Sequence, residues 1–134
     1  MQRFTPRHHA LSLALASVFS TAFSAASQQI IADGDDLTPP AGDYHTTDPV
    51  EPGNASGYAF YAINGGTLVP AGEVNLRTEG LRAAGARAEG AGSRIELQQG
   101  SVLTSGYGAA GLSAANGGVI QAIGTRVHTQ GDAA

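Results

Sequence analysis

Residues able to do chemistry are few in this 134-residue chain, and their spacing speaks against most reactions. Residues 106–111, Gly-Tyr-Gly-Ala-Ala-Gly, satisfy the G-x-G-x-x-G pattern of a dinucleotide-binding turn, with an acid, Asp132, about 20 residues on. That pattern holds a pyrophosphate only between a strand and a helix N-terminus, and no helical periodicity follows it here. Asp33, Asp35 and Asp36, with Asp43 and Asp48 nearby, could offer carboxylate oxygens to a cation but lack the remaining positions of a calcium loop. They read instead as a solvated, self-repelling stretch. His45 and His128 each lack a second His or an acid at ligand spacing and are expected at the surface. The expectation is therefore no catalytic set, no metal site and no cofactor. Aromatics are the one feature that favours binding: Tyr58, Phe60 and Tyr61 crowd together. They read as a cap over an apolar end, with a ligand-contacting surface patch as the alternative.

The elements that hold these residues are set by a repeat. At a separation of 26 residues Ala62, Ala88 and Ala114 coincide, as do Gly66, Gly92 and Gly118, in the triplets Asn-Gly-Gly, Gly-Ala-Gly and Asn-Gly-Gly. Past Gly118 the third copy is one residue shorter. At that offset Val69, Ile95 and Ile120 align, then Ala71, Leu97 and Ala122, then Leu76, Val102 and Val127. An aliphatic-x-Thr-x-Gly cadence completes each copy through Thr78, Thr104 and Thr129, then Gly80, Gly106 and Gly131. Matched apolar residues two apart alternate as in a strand. A unit of about 26 residues cannot bury its own apolar face, so neighbours must stack, and like residues then form internal ladders about 4.8 Å apart. Short strands with glycine at the corners and alanine inside predict an all-β fold, a right-handed parallel β-helix of about three turns over residues 56–134.

Helical repeats of similar length are excluded, because the only helix-like stretch, residues 81–92, contains Gly85, Gly90 and Gly92, each costing a helix about 1 kcal/mol. The G-G-x-G-x-D calcium roll and the three-residue collagen period are absent. On a β-helix, Arg77, Leu103 and His128 form one outward column and Glu79, Ser105 and Gln130 another. No carboxylate pair stacks for acid–base cleavage of a glycoside.

Residues 1–26 read as a secretory signal peptide: Arg3 and Arg7 without an acid, an apolar run over residues 11–23, and Ser-Ala-Ala ending at Ala26 as the cleavage site. The run falls short of the roughly 20 apolar residues that span a hydrocarbon core. Residues 27–55 hold Pro39, Pro40, Pro49 and Pro52, six acids and no base, which predicts an irregular, acidic leader with a short strand near residues 28–32. Without residues 1–26 the chain keeps five arginines, no lysine and all 11 acids, a formal charge of five minus 11, or −6. Nucleic acids and anionic membrane surfaces are poor partners for it. There is no cysteine, so an exported domain of this size must gain its stability by being part of something longer, or from a fold whose ladder is self-reinforcing, and not from disulfides.

The signal peptide, the cysteine-free body and residues 56–131, with their Thr-x-Gly corner, small-residue strand and Asn-Gly-Gly turn, resemble the passenger domain of pertactin-like autotransporters, pectin-lyase-like β-helices of Gram-negative bacteria. The resemblance implies type V secretion through the periplasm, a C-terminal outer-membrane β-barrel, and display at the cell surface or release. It further implies adhesion or virulence, with a host surface or a polysaccharide as partner. No strand-rich barrel follows Gln130 in this chain and no Arg-Gly-Asp tripeptide occurs. The expectation is thus a non-catalytic N-terminal part of a passenger, from a truncated reading frame or one without its translocator. The alternative is a piece of a polysaccharide-degrading β-helix whose active residues lie in other turns.

Overall fold

The computed structural model describes residues 28–133; the expected signal peptide lies outside them. The chain winds through four coils of three short strands each. Coil 1 holds β1 (Ile30–Asp33), β2 (Asp36–Leu37) and β3 (Gly42–Thr46); coil 2 holds β4 (Phe60–Ile63), β5 (Thr67–Leu68) and β6 (Val74–Thr78). Coil 3 holds β7 (Ala86–Glu89), β8 (Arg94–Gln98) and β9 (Ser101–Thr104); coil 4 holds β10 (Leu112–Ala115), β11 (Val119–Ile123) and β12 (Arg126–Thr129). Equivalent strands pair in parallel into three sheets, β1-β4-β7-β10 (sheet A), β2-β5-β8-β11 (sheet B) and β3-β6-β9-β12 (sheet C). The fold is all-β, a right-handed parallel β-helix of about four turns.

Alternation drives each strand. In β6, Val74, Leu76 and Thr78 are buried while Asn75 and Arg77 face out, and β8 and β9 repeat the pattern. The interior is a set of columns one residue wide. Sheet A contributes Ile30, Phe60, Ala86 and Leu112 beside Ala32, Ala62, Ala88 and Ala114. Sheet C contributes Tyr44, Leu76, Val102 and Val127 beside Thr46, Thr78, Thr104 and Thr129. Volume is traded between neighbours: Phe60 sits over the small Ala86, and the Tyr44 ring meets it edge-on at 5.1 Å between centroids.

Three expectations change. The stretch over residues 27–55 is not an irregular leader: it supplies a complete first coil, which makes four turns out of the expected three. Its acids Asp33, Asp36 and Asp43 occupy outward register positions, opposite Ile63, Thr67 and Asn75, so they remain solvated while Ala32, Leu37 and Tyr44 point in. In sheet B the column is Leu68, Ile95 and Ile120, because Leu68 and not Val69 pairs with Ile95, and Ala71 is exposed. Finally, Gly66 and Gly118 share their level with Ser93, since Thr67 and Val119 both pair with Arg94. Gly92 lies one step earlier, beside Gly65 and Gly117, and all three have left-handed backbones (φ +83°, +81° and +91°). The cause is one extra residue in coil 3: three residues separate Ile63 from Thr67 and Ala115 from Val119, but four separate Glu89 from Arg94.

Candidate functional site

The aliphatic-x-Thr-x-Gly corner between sheets C and A is structural, and its chemistry is visible. Thr46, Thr78 and Thr104 are fully buried, and each hydroxyl donates to a carbonyl across the corner: Gly57 and Ala83 at 2.5 Å and Ala109 at 3.3 Å. A buried hydroxyl must find a partner, and here the partner is a corner carbonyl that no strand can satisfy. Thr129 holds the fourth level. Glycine follows two residues later because coils touch there: a Cβ on Gly80, Gly106 or Gly131 would overlap the carbonyl oxygen of Asp48, Gly80 or Gly106 in the preceding coil. The G-x-G-x-x-G stretch is this same corner, placed between β9 and β10, with strand and not helix after it.

Two outward faces carry polar groups. On sheet C, the Asn75 amide donates to Asp43 Oδ1 and Ser101 Oγ donates to Asn75 Oδ1, both at 2.9 Å. A trough of about 400 Å³ runs beside this ladder, past His45, Arg77 and Leu103. His45, expected to have no acid partner, lies 2.6 Å from Glu79 Oε2, which Arg77 also approaches at 3.4 Å. The pairing arises across coils, at 34 residues' separation. The outward column Arg77, Leu103, His128 stands as expected, with His45 preceding it.

On sheet A the three expected aromatics part company. Phe60 is 0% exposed and belongs to the core, so it is neither cap nor surface contact. Tyr58 and Tyr61 lie outside with ring centroids 4.9 Å apart. Arg87, the level after Tyr61, passes over the Tyr58 ring at 6.0 Å. Its guanidinium donates to Ser113 Oγ at 2.6 Å and lies 3.2 Å from Glu89 Oε1, while its buried Nε has no partner. The Tyr61 hydroxyl donates to the same Glu89 oxygen at 3.3 Å, and Asn116 approaches Glu89 Oε2 at 3.5 Å. Burial first, and the Glu89 charge second, push the Tyr61 pKa up from its ordinary value. A second hollow, of about 340 Å³, is bounded by Tyr61, Ile63, Asn64, Glu89, Gly90 and Asn116.

Arg87 and Glu89 were not singled out in the sequence, and Asn116 stood out only as the first residue of a turn triplet. The available signal was the alternation Ala86-Arg87-Ala88-Glu89, which puts two charged residues on one outward face. Among the described residues no group of three or more His, Asp or Glu converges as a metal site would require. No family model matches the chain, and no characterised protein or solved structure matches it either.

Proposed function

We propose that the chain is the N-terminal part of an exported, non-catalytic β-helical passenger, displayed at or released from the surface of a Gram-negative cell, where it serves adhesion. The observation that carries this reading is the form of the ladder. Coil 4 repeats the inward residues of coil 3 in unbroken register, Ile120 beside Ile95, Val127 beside Val102 and Thr129 beside Thr104. A register kept from coil to coil gives a long rod, the form that suits a displayed passenger. The absence of cysteine suits a chain that crosses two membranes unfolded and then gains stability turn by turn. The outward columns give a long, rigid, polar surface for contacts without asking the core to change.

The test is to express the full chain, joined to an outer-membrane β-barrel, in a Gram-negative host. Cleavage after Ala26 and digestion by protease added to intact cells are the expected results. An uncleaved product confined to the cytoplasm would overturn the proposal.

A further inference from the structure

An extra residue in the turn between β7 and β8 lies beside an aromatic–polar cluster on the outside of the helix. Gly90, the extra residue of coil 3, has φ +94° and lines the hollow formed with Tyr61, Ile63, Asn64, Glu89 and Asn116. The cavity volume of about 340 Å³ lies within the range of about 300–1,000 Å³ that holds small ligands.

Its chemistry selects the ligand. One wall is apolar, the Tyr61 ring and the Ile63 side chain, a platform for the C–H face of a ring. The polar wall combines the Glu89 carboxylate with the side-chain amides of Asn64 and Asn116. Glu89 Oε1 is held by Tyr61 and Arg87, which leaves Oε2 with only the 3.5 Å approach of Asn116. The Asn64 amide nitrogen donates one hydrogen to Asp33 Oδ1 at 2.7 Å, which leaves its carbonyl oxygen and its second N–H to bind. Arg87, the one cation of the cluster, is turned to Ser113 and Glu89 and stacked on Tyr58. A site with an apolar platform, spare acceptors and no spare cation suits a ligand rich in hydroxyl donors and repels anions.

We infer that this hollow on sheet A binds a neutral saccharide, with the sugar ring on Tyr61 and its hydroxyls on Glu89, Asn64 and Asn116. The inference gives the adhesive reading a ligand class and a place. It rests on that reading only for its biological setting: a chain that binds sugar but is not exported would overturn the adhesive proposal and leave this one intact.

The experiment titrates the isotope-labelled full chain with neutral oligosaccharides of glucose, galactose, mannose and N-acetylglucosamine, and separately with a uronic-acid oligomer and an amine, spermidine. At least one neutral oligosaccharide is expected to shift the amide signals of Tyr61, Glu89, Gly90 and Asn116. Tyr61→Ala and Glu89→Gln should each weaken binding more than tenfold, while Tyr107→Ala, an aromatic 59% exposed elsewhere, leaves it unchanged. Circular dichroism of each variant confirms that the fold is retained; were Tyr61→Ala to unfold, Tyr61→Leu, which keeps volume and removes the ring, provides the same comparison. Shifts with the uronic-acid oligomer or spermidine alone, shifts located on another face, or affinity indifferent to Tyr61 and Glu89 would each overturn the assignment.

Discussion

Coils 3 and 4 carry nearly the same inward residues and live in different surroundings. Val102 is 1% exposed and Val127, its partner one level on, is 43% exposed. Thr104 and Ala88 are buried, whereas Thr129 and Ala114 are not. The side chains are alike, so the difference belongs to the stack. Val102 is enclosed between Leu76 and Val127, whereas Val127 is paired on one side only, and a turn is worth most when enclosed. Stability should therefore fall off towards coil 4 even though the sequence does not.

Substitutions made in matched pairs can break that comparison. The largest gap is expected for charge. Val102→Asp leaves a carboxylate unpaired between Leu76 and Val127 and should cost more than about 3 kcal/mol, whereas Val127→Asp should cost under about 1 kcal/mol, as at other exposed sites. Denaturant midpoints of the two variants measure it, and equal shifts would show that coil 4 is enclosed in solution. Next comes backbone approach. Gly106→Ala drives a methyl group into the Gly80 carbonyl between two fixed coils, at about 1–3 kcal/mol. Gly131→Ala meets the Gly106 carbonyl in the same way, but coil 4 is free to lift, so its cost should be clearly smaller by thermal melting. Third is the hydroxyl ladder. Thr104→Val strands the Ala109 carbonyl and should cost about 1–3 kcal/mol; Thr129→Val should shift stability by no more than about 0.5 kcal/mol, and hydrogen exchange at coils 3 and 4 would resolve the two.

The smallest effect concerns the opposite end of the molecule. Burial raises the pKa of Tyr44, and burial with the Glu89 charge raises that of Tyr61, above the ordinary value of 10.0. Both hydroxyls hold their proton more tightly folded than unfolded. Their contribution is complete below pH 10 and declines as the pH rises past it. Alkali should thus loosen coils 1 and 2 first, while heat at neutral pH frays coil 4 first. Residue-resolved amide signals distinguish the two orders, and a single order under both conditions would break the contrast.

How much of this was legible beforehand depends on whether a residue type has one physical reason or two. The Thr column could be read because a buried threonine with a turn after it has a narrow use, and Gly80, Gly106 and Gly131 because a corner repeated with glycine means close approach. Gly92 misled because glycine answers two needs. Gly66 and Gly118 leave no room for a Cβ, against Ala32 and Ala88, whereas Gly92 supplies a left-handed backbone one step earlier. Ser93 takes the level of the other two, donating to the Glu89 carbonyl and accepting from the Gly65 amide. Coil 1 was hidden for another reason. Its separations from coil 2 are longer than 26 residues, as in Ile30 with Phe60 and Thr46 with Thr78, and β2 is too short to show alternation. Of the candidate site, the aromatics were visible in the sequence, but Arg87, Glu89 and Asn116 join them only across coils, where no local pattern reaches.

The corner over residues 47–59 offers a use of its own. Thr78 and Thr104 reach carbonyls five residues on, whereas Thr46 reaches Gly57, 11 residues on, and still makes the same bond. The additional chain closes on itself through the paired Glu51 and Asn54, with Gly53 left-handed in open space. The helix thus already carries a longer loop at a position where the register of neighbouring coils is kept. Peptide epitopes or small domains inserted at Gly53 would be presented from a fixed point on the rod, and the corresponding corners after Thr78 and Thr104 would place further inserts at intervals of one coil.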